Sequence, residues 1–267
     1  MISSALPRLE SNAPLARVAV VFFAVLQVLT PALPSLGIGH PIGDQSQAVR
    51  TLITPAGWAF SIWGLLYAGS FVFAIFQALP AQRHGALIGH LRWPAAGAFA
   101  GNAAWAAYVQ PSGLGFPSVL IIAWTLLCLL VAFRTLSAWR DAFSRGELWC
   151  AVVPLSALAA WLTVATTVNV AATLRFHGVE GGDATPAISA AIVVAAGAIA
   201  SAALMRGRGN PAYAAVLLWA LSAIYAGGAR AVGVVGVAAI AAAALVLIGA
   251  LTGWLYADAG RWRPWPR

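Results

Sequence analysis

Trp63 and Tyr67 stand four residues apart, Asn102 and Trp105 three apart, and Trp161, Ala165 and Asn169 follow one another at steps of four. On a helix, side chains three or four apart share a face. These groups therefore bring flat aromatic rings together with small or amide neighbours. Rings offer stacking and amides offer a few hydrogen bonds, which is the chemistry of holding a flat, weakly polar molecule. Other chemistries are poorly supplied. All fifteen basic residues are Arg, so a retinal or pyridoxal Schiff base and a lysine nucleophile are excluded. Cys128 and Cys150 sit in or beside apolar runs and form neither a disulfide framework nor a Cys-rich metal site. The seven acids, Glu10, Asp44, Asp141, Glu147, Glu180, Asp183 and Asp258, fall in loops or at helix ends. A proton pump would carry such groups inside its spans. "SLGIG" and "GVEGGD" lack the strand–helix context of a phosphate loop, and a serine nucleophile would lack a helix-borne base.

The elements that must position these residues are membrane helices. The chain is 61% hydrophobic and 8% charged, with mean hydropathy +0.86, which marks an integral membrane protein. A lipid-facing segment must satisfy its own backbone, and the strict alternation of a barrel is absent, so the expected class is all-α, a polytopic transmembrane bundle. Pro, Gly and charge clusters divide it into about eight spans: Leu15–Leu36, Ala56–Leu79, Leu91–Gln110, Pro117–Ala138, Leu148–Thr173, Thr185–Met205, Pro211–Gly227 and Ala231–Tyr256. The first is long enough to begin a true span and lacks an A-x-A site, so no cleavable signal is expected. Twelve arginines fall on one side of such a bundle, and only Arg50, Arg175 and Arg230 on the other. The positive-inside rule then puts both termini in the cytoplasm, with a bacterial inner membrane as the expected location. The net charge of +8 orients the protein and calls for no nucleic acid. The tail "RWRPWPR" has the composition of an interfacial anchor for membrane lipid.

Seven of the twelve tryptophans lie near expected span ends, Trp58 at the outer boundary and Trp93, Trp139, Trp149, Trp254, Trp262 and Trp265 near the inner one, where an aromatic belt accounts for them. A rise of ~1.5 Å per residue puts Trp63 and Trp124 roughly 10–12 Å deep, Trp105 about 7 Å and Trp161 about 18 Å. Trp105 is shallow enough for a belt residue as well as a cavity one. Asn102 and Asn169 suit either interhelical hydrogen bonds or ligand contact. Trp63 and Tyr67 form one stripe and Trp58 points about 140° away. The expected arrangement is an outward-opening cavity lined by Trp63, Tyr67, Asn102, Trp161 and Ala165, covered by the loop from Gly37 to Thr54. The alternative is that these large side chains only fill a bundle core.

"TPAGWAFSIWGLLYAG" resembles the P-P-G-W-x-F-x-x-V-W-x-x-L-Y-x-x-x-G signature of the tryptophan-rich sensory protein, or translocator protein, family (TspO/MBR). "GNAAWAAYV" looks like its L-N-x-x-W segment, and "PLSALAAWLTVATTVNVAATL" is similar to P-Y-x-x-W-x-x-F-A-T-x-L-N-x-x-I. The resemblance implies a five-helix core over residues 1–175, leaving 176–267 as an additional three-helix extension. It implies binding of a porphyrin, haem or related tetrapyrrole, with no cofactor required. It also implies, for some members, light-dependent degradation of the ring by two tryptophans, here Trp63 and Trp161, with Ala165 a small pocket position and Asn102 the amide of span three. Thr54, Gly101 and Val164 depart from the motifs, and small residues at such positions could enlarge the pocket or change its ligand.

A membrane cytochrome would need axial histidines in the bundle. His40, His84, His90 and His177 all fall in predicted loops, and only His40 could reach a bound metalloporphyrin from outside. The function expected is a membrane binding or sensor protein for a flat apolar ligand. A porphyrin-degrading enzyme, a passive carrier and a structural subunit of a larger membrane complex are the alternatives. Gly249 and Gly253 form one G-x-x-x-G, which suits packing within the chain or a homodimer face. Trp219 is expected to fill the join between the core and the added helices.

Overall fold

The computed structural model describes residues 13–257 and Trp262. These are helical, with no strand among them. Eight long helices run in order: α1 (Ala13–Leu29), α2 (Ile62–Ala78), α3 (Ala86–Ser112), α4 (Phe116–Ala138), α5 (Val153–Phe176), α6 (Thr185–Arg206), α7 (Pro211–Gly227) and α8 (Gly233–Leu255). Among the described residues six helical stretches are long and apolar enough to cross a membrane: Pro14–Leu36, Gly57–Ala78, Phe116–Ala138, Arg145–Phe176, Gly182–Arg206 and Gly233–Leu255. α7 is apolar but short. α3 is long, but it carries His90, Arg92, Asn102, Gln110 and two prolines. The eight-helix division thus holds, while six of those helices qualify as spans by length and composition. The exposed surface along them is apolar, including Phe22, Leu65, Leu127, Ile199 and Leu251. In water that face would be unstable; in lipid it is the expected exterior.

Proline and glycine set where the helices change character. α1 tightens into a 3-10 segment, Thr30–Leu36, containing Pro31 and Pro34. Gly57–Ser61 forms a 3-10 turn leading into α2. Before α5 the capping box of Ser144 and Glu147 starts a helical turn, and a π turn, Leu148–Val152, follows. Pro154 has no N–H for the carbonyl four residues back and its ring crowds that carbonyl, so the chain widens just ahead of it. α3 begins five residues earlier than the expected third span, and His90 therefore lies on its first turns, not in a loop.

α1 packs on α2 and α3, α3 on α4, α4 on α5, and α5 back on α2, closing a ring of five. The other three lie outside it. α6 pairs closely with α8, and α7 packs on α5, α8 and the 3-10 turn before α2. Small residues carry these approaches. A side chain at Gly249 would strike the Ser201 backbone, and one at Gly253 would strike Leu204 and Gly209. The G-x-x-x-G therefore packs inside the chain. Asn210 caps α7 by accepting from the Tyr213 amide, and donates to Ser156 Oγ of α5 at 2.8 Å. The Tyr213 hydroxyl meets Thr163 Oγ1 at 3.0 Å. Trp219 fills the join as expected: its Nε1 donates to the Ala59 carbonyl at 3.3 Å, and its ring stands edge-on to Trp58 at 4.7 Å. Trp58 is thus a packing partner of α7 in addition to a boundary residue. Of the basic tail, Trp262 donates to the Arg208 carbonyl and stacks on Phe143; the rest lies outside the described residues.

Candidate ligand cavity

The five-helix ring leaves a cavity at the end where the loop after α1 crosses it. Its free volume is about 50 Å3 as the structure stands, and it is partly open to the outside. Trp63 and Phe60 come from α2 and its leading turn, Asn102 and Trp105 from α3, and Trp161, Ala165 and Asn169 from α5. Ile42 and Ser46, on the short helix Ile42–Ala48, lie over the opening. That cover is pinned to the end of α3. The His40 amide and Gln45 Nε2 both donate to the Gln110 carbonyl, at 2.9 Å each. Gly39, with φ +73°, lies so close to Gln110 and Pro111 that a side chain would strike their backbone.

Six of the seven residues singled out by spacing line this one cavity. Trp161 is 2% exposed, with Trp63 edge-on at 6.1 Å and Phe60 edge-on at 6.2 Å. Tyr67 is the correction: it stacks on Trp63 at 5.2 Å but is outside the lining. One helical turn below Trp63, it backs the ring and fixes its plane. Trp105 is tied into the bundle, its Nε1 donating to Asn169 Oδ1 at 3.1 Å. Asn169 Nδ2 in turn donates to Ser118 Oγ at 2.8 Å. Asn102 Nδ2 donates to Gln27 Oε1 of α1 at 3.1 Å. Each amide thus makes an interhelical bond and also faces the cavity. Trp124, of similar estimated depth to Trp63, is 58% exposed and points out of the bundle.

Phe60 was within reach of the spacing argument, since it lies three residues before Trp63. Gln27 was signalled by being the lone amide inside the first apolar run. The departures from the motifs resolve individually. Thr54 accepts from the Thr51 amide at 2.9 Å, capping the turn where the pattern has Pro. Gly101 does not enlarge the cavity: a side chain there would meet Thr125, so its smallness brings α4 against α3. Val164 does line the cavity.

Two features of the site decide its chemistry. Among the described residues the lining includes no His, Cys, Asp or Glu, and no three such side chains gather anywhere. His40 anchors the cover through its backbone and is not part of the lining. Among the described residues the lining thus offers no axial ligand for a haem iron. The second feature is Trp161 Nε1, buried without an acceptor among the described residues.

A family of TSPO-like proteins matches residues 14–252, from the start of α1 to the end of α8. The chain belongs to the TSPO-like protein family. No curated protein and no solved structure matches it. The match to the TSPO-like family runs through position 175, so α6–α8 lie within it together with the five-helix ring. Membership and the apolar helices make the chain an integral membrane protein, of a family that points broadly to membrane sensing or binding.

Proposed function

We propose that this TSPO-like protein binds a flat, largely apolar ligand in the ring cavity, with a metal-free tetrapyrrole such as protoporphyrin as the leading candidate. The observation that carries this is the wall around Trp161. Phe60, Trp63 and Trp105 provide aromatic surface and Asn102 and Asn169 polar groups, while Trp161 of the same wall has an N–H without an acceptor among the described residues. A buried donor without a partner costs about 1–3 kcal/mol, and a ligand that brings an acceptor to Trp161 relieves that cost only when bound. A propionate of protoporphyrin is such an acceptor, as is the lactam carbonyl of a linear tetrapyrrole. Stacking and one or two hydrogen bonds hold such a molecule without metal ligation, as the lining requires. Both termini in the cytoplasm of a bacterial inner membrane, with the cavity facing outward, is the orientation that the arginine distribution supports.

Ala165 tests this directly, because it is small, central and one turn from Trp161. Ala165→Phe is expected to abolish protoporphyrin binding by the purified protein while its melting profile stays close to that of wild type. Undiminished binding in Ala165→Phe would remove the cavity from the account. Illuminating the complex separates binding from turnover: a porphyrin spectrum that decays only with Trp63 and Trp161 intact would make the protein an enzyme as well.

A further inference from the structure

At the end of the bundle away from the cavity, two arginines converge on one short turn. Arg17 of α1 donates from Nη2 to the Leu79 carbonyl at 3.1 Å. Arg92 of α3, only 3% exposed, donates from Nη2 to the Gln82 carbonyl at 2.7 Å and from Nε to Gln77 Oε1 at 3.2 Å. Gln77 joins the two helices, its Nε2 donating to the Arg17 backbone carbonyl at 3.1 Å. Every acceptor in this set is neutral. Among the described residues no carboxylate comes within ion-pair distance of either guanidinium. Glu147, on the loop between α4 and α5, is held by Ser144 in its capping box.

The charge is therefore unbalanced. A guanidinium is a cation with no acceptor of its own. The partial negative charge at the carbonyl end of α2 and the partial positive charge at the start of α3 meet at this turn, so the helix ends leave the two arginine charges largely uncompensated. Arg17 Nε is buried and has no acceptor, although the residue as a whole is partly exposed. Arg17, the more exposed of the two, would make the direct contact with an anion, with the buried charge of Arg92 held behind it by the turn at Leu79–Gln82.

We infer that Arg17 and Arg92 form a binding site for a phosphate group, monoanionic or dianionic, at the end of the bundle formed by the α2–α3 turn. Arginine's planar fork matches phosphate oxygens in pairs, and Arg17, partly exposed, is the residue placed to present it. An anionic phospholipid headgroup and free phosphate share this chemistry, and the site depends on neither the cavity nor its ligand.

The test uses the full chain in nanodiscs. Native mass spectrometry reads retention of phosphatidylglycerol against phosphatidylcholine, and a parallel titration reads inorganic phosphate in phosphatidylcholine discs. Preferential retention of phosphatidylglycerol without a phosphate response identifies a lipid headgroup; a phosphate response of the same residue dependence identifies a soluble anion. In either case Arg17→Gln is expected to weaken binding roughly tenfold, the scale of one hydrogen bond to a charged group. Gln77 holds Arg17 through its backbone, so this variant keeps the contact between α1 and α2. Arg134→Gln, on the exposed face of α4, should bind as wild type does. No anion preference in wild type, or equal losses in Arg17→Gln and Arg134→Gln, would overturn the site.

Discussion

Gly101→Leu restores the residue found in the motif that span three resembles, and it should unfold this bundle more easily. A Cβ at position 101 would lie 3.1 Å from Thr125 Cβ and 3.3 Å from Thr125 Cα, with Thr125 Oγ1 closer still. Thr125 is fully buried and its hydroxyl donates to the Ile121 carbonyl at 2.9 Å, so it has nowhere to turn. Leucine adds three further carbons beyond that Cβ, which places the change at the upper end of overpacking, about 3 kcal/mol. Removing a mid-helix glycine returns about 0.8 kcal/mol. The net loss is then about 2 kcal/mol, a factor of roughly 30 in the folded-to-unfolded ratio. Gly64 supplies the opposite case: nothing lies within 4 Å of its Cβ position, so Gly64→Ala should be neutral or gain up to about 1 kcal/mol. Equilibrium unfolding in mixed micelles, followed by far-UV circular dichroism, measures both. Gly101→Leu as stable as wild type would refute the close α3–α4 contact.

Asn169→Ala leaves Trp105 Nε1 and Ser118 Oγ without their partner, and should lower stability by about 1–3 kcal/mol in the same assay, with a shift in tryptophan emission. Topology is checked by single-cysteine labelling from outside the cell, with Cys128 and Cys150 replaced by Ser. Asp44→Cys and Glu180→Cys should label, and Arg83→Cys and Arg206→Cys should not; the reverse pattern would invert the orientation.

The helices were legible because lipid imposes long apolar runs, and because Pro and Gly punctuate them. The residues of the cavity were legible for a related reason: rings and amides are out of place in such runs, and helical spacing assigns them to faces. Depth alone was a weaker guide. Trp124 and Trp63 have similar depth, but one faces outward and the other inward, since depth does not specify rotation about the helix axis. Tyr67 shares a stripe with Trp63 and still misses the lining, because the first ring occupies the space in front of it. The Arg17–Arg92 pair was invisible in the sequence. The two residues are 75 positions apart, and only the packing of α1, α2 and α3 brings them to one turn.

The central claim is that the deep tryptophans form a binding wall and are not merely core. Fluorescence-quenching titration of the purified protein with protoporphyrin tests it most directly, across wild type, Trp63→Ala, Trp161→Ala and Trp254→Ala. Trp254 is 59% exposed and is not part of the cavity lining. Ring stacking contributes about 0.5–1.5 kcal/mol beyond area burial, so the account predicts that Trp63→Ala and Trp161→Ala each weaken binding several-fold or more, with Trp254→Ala unchanged. Equal affinity in all four proteins would contradict it.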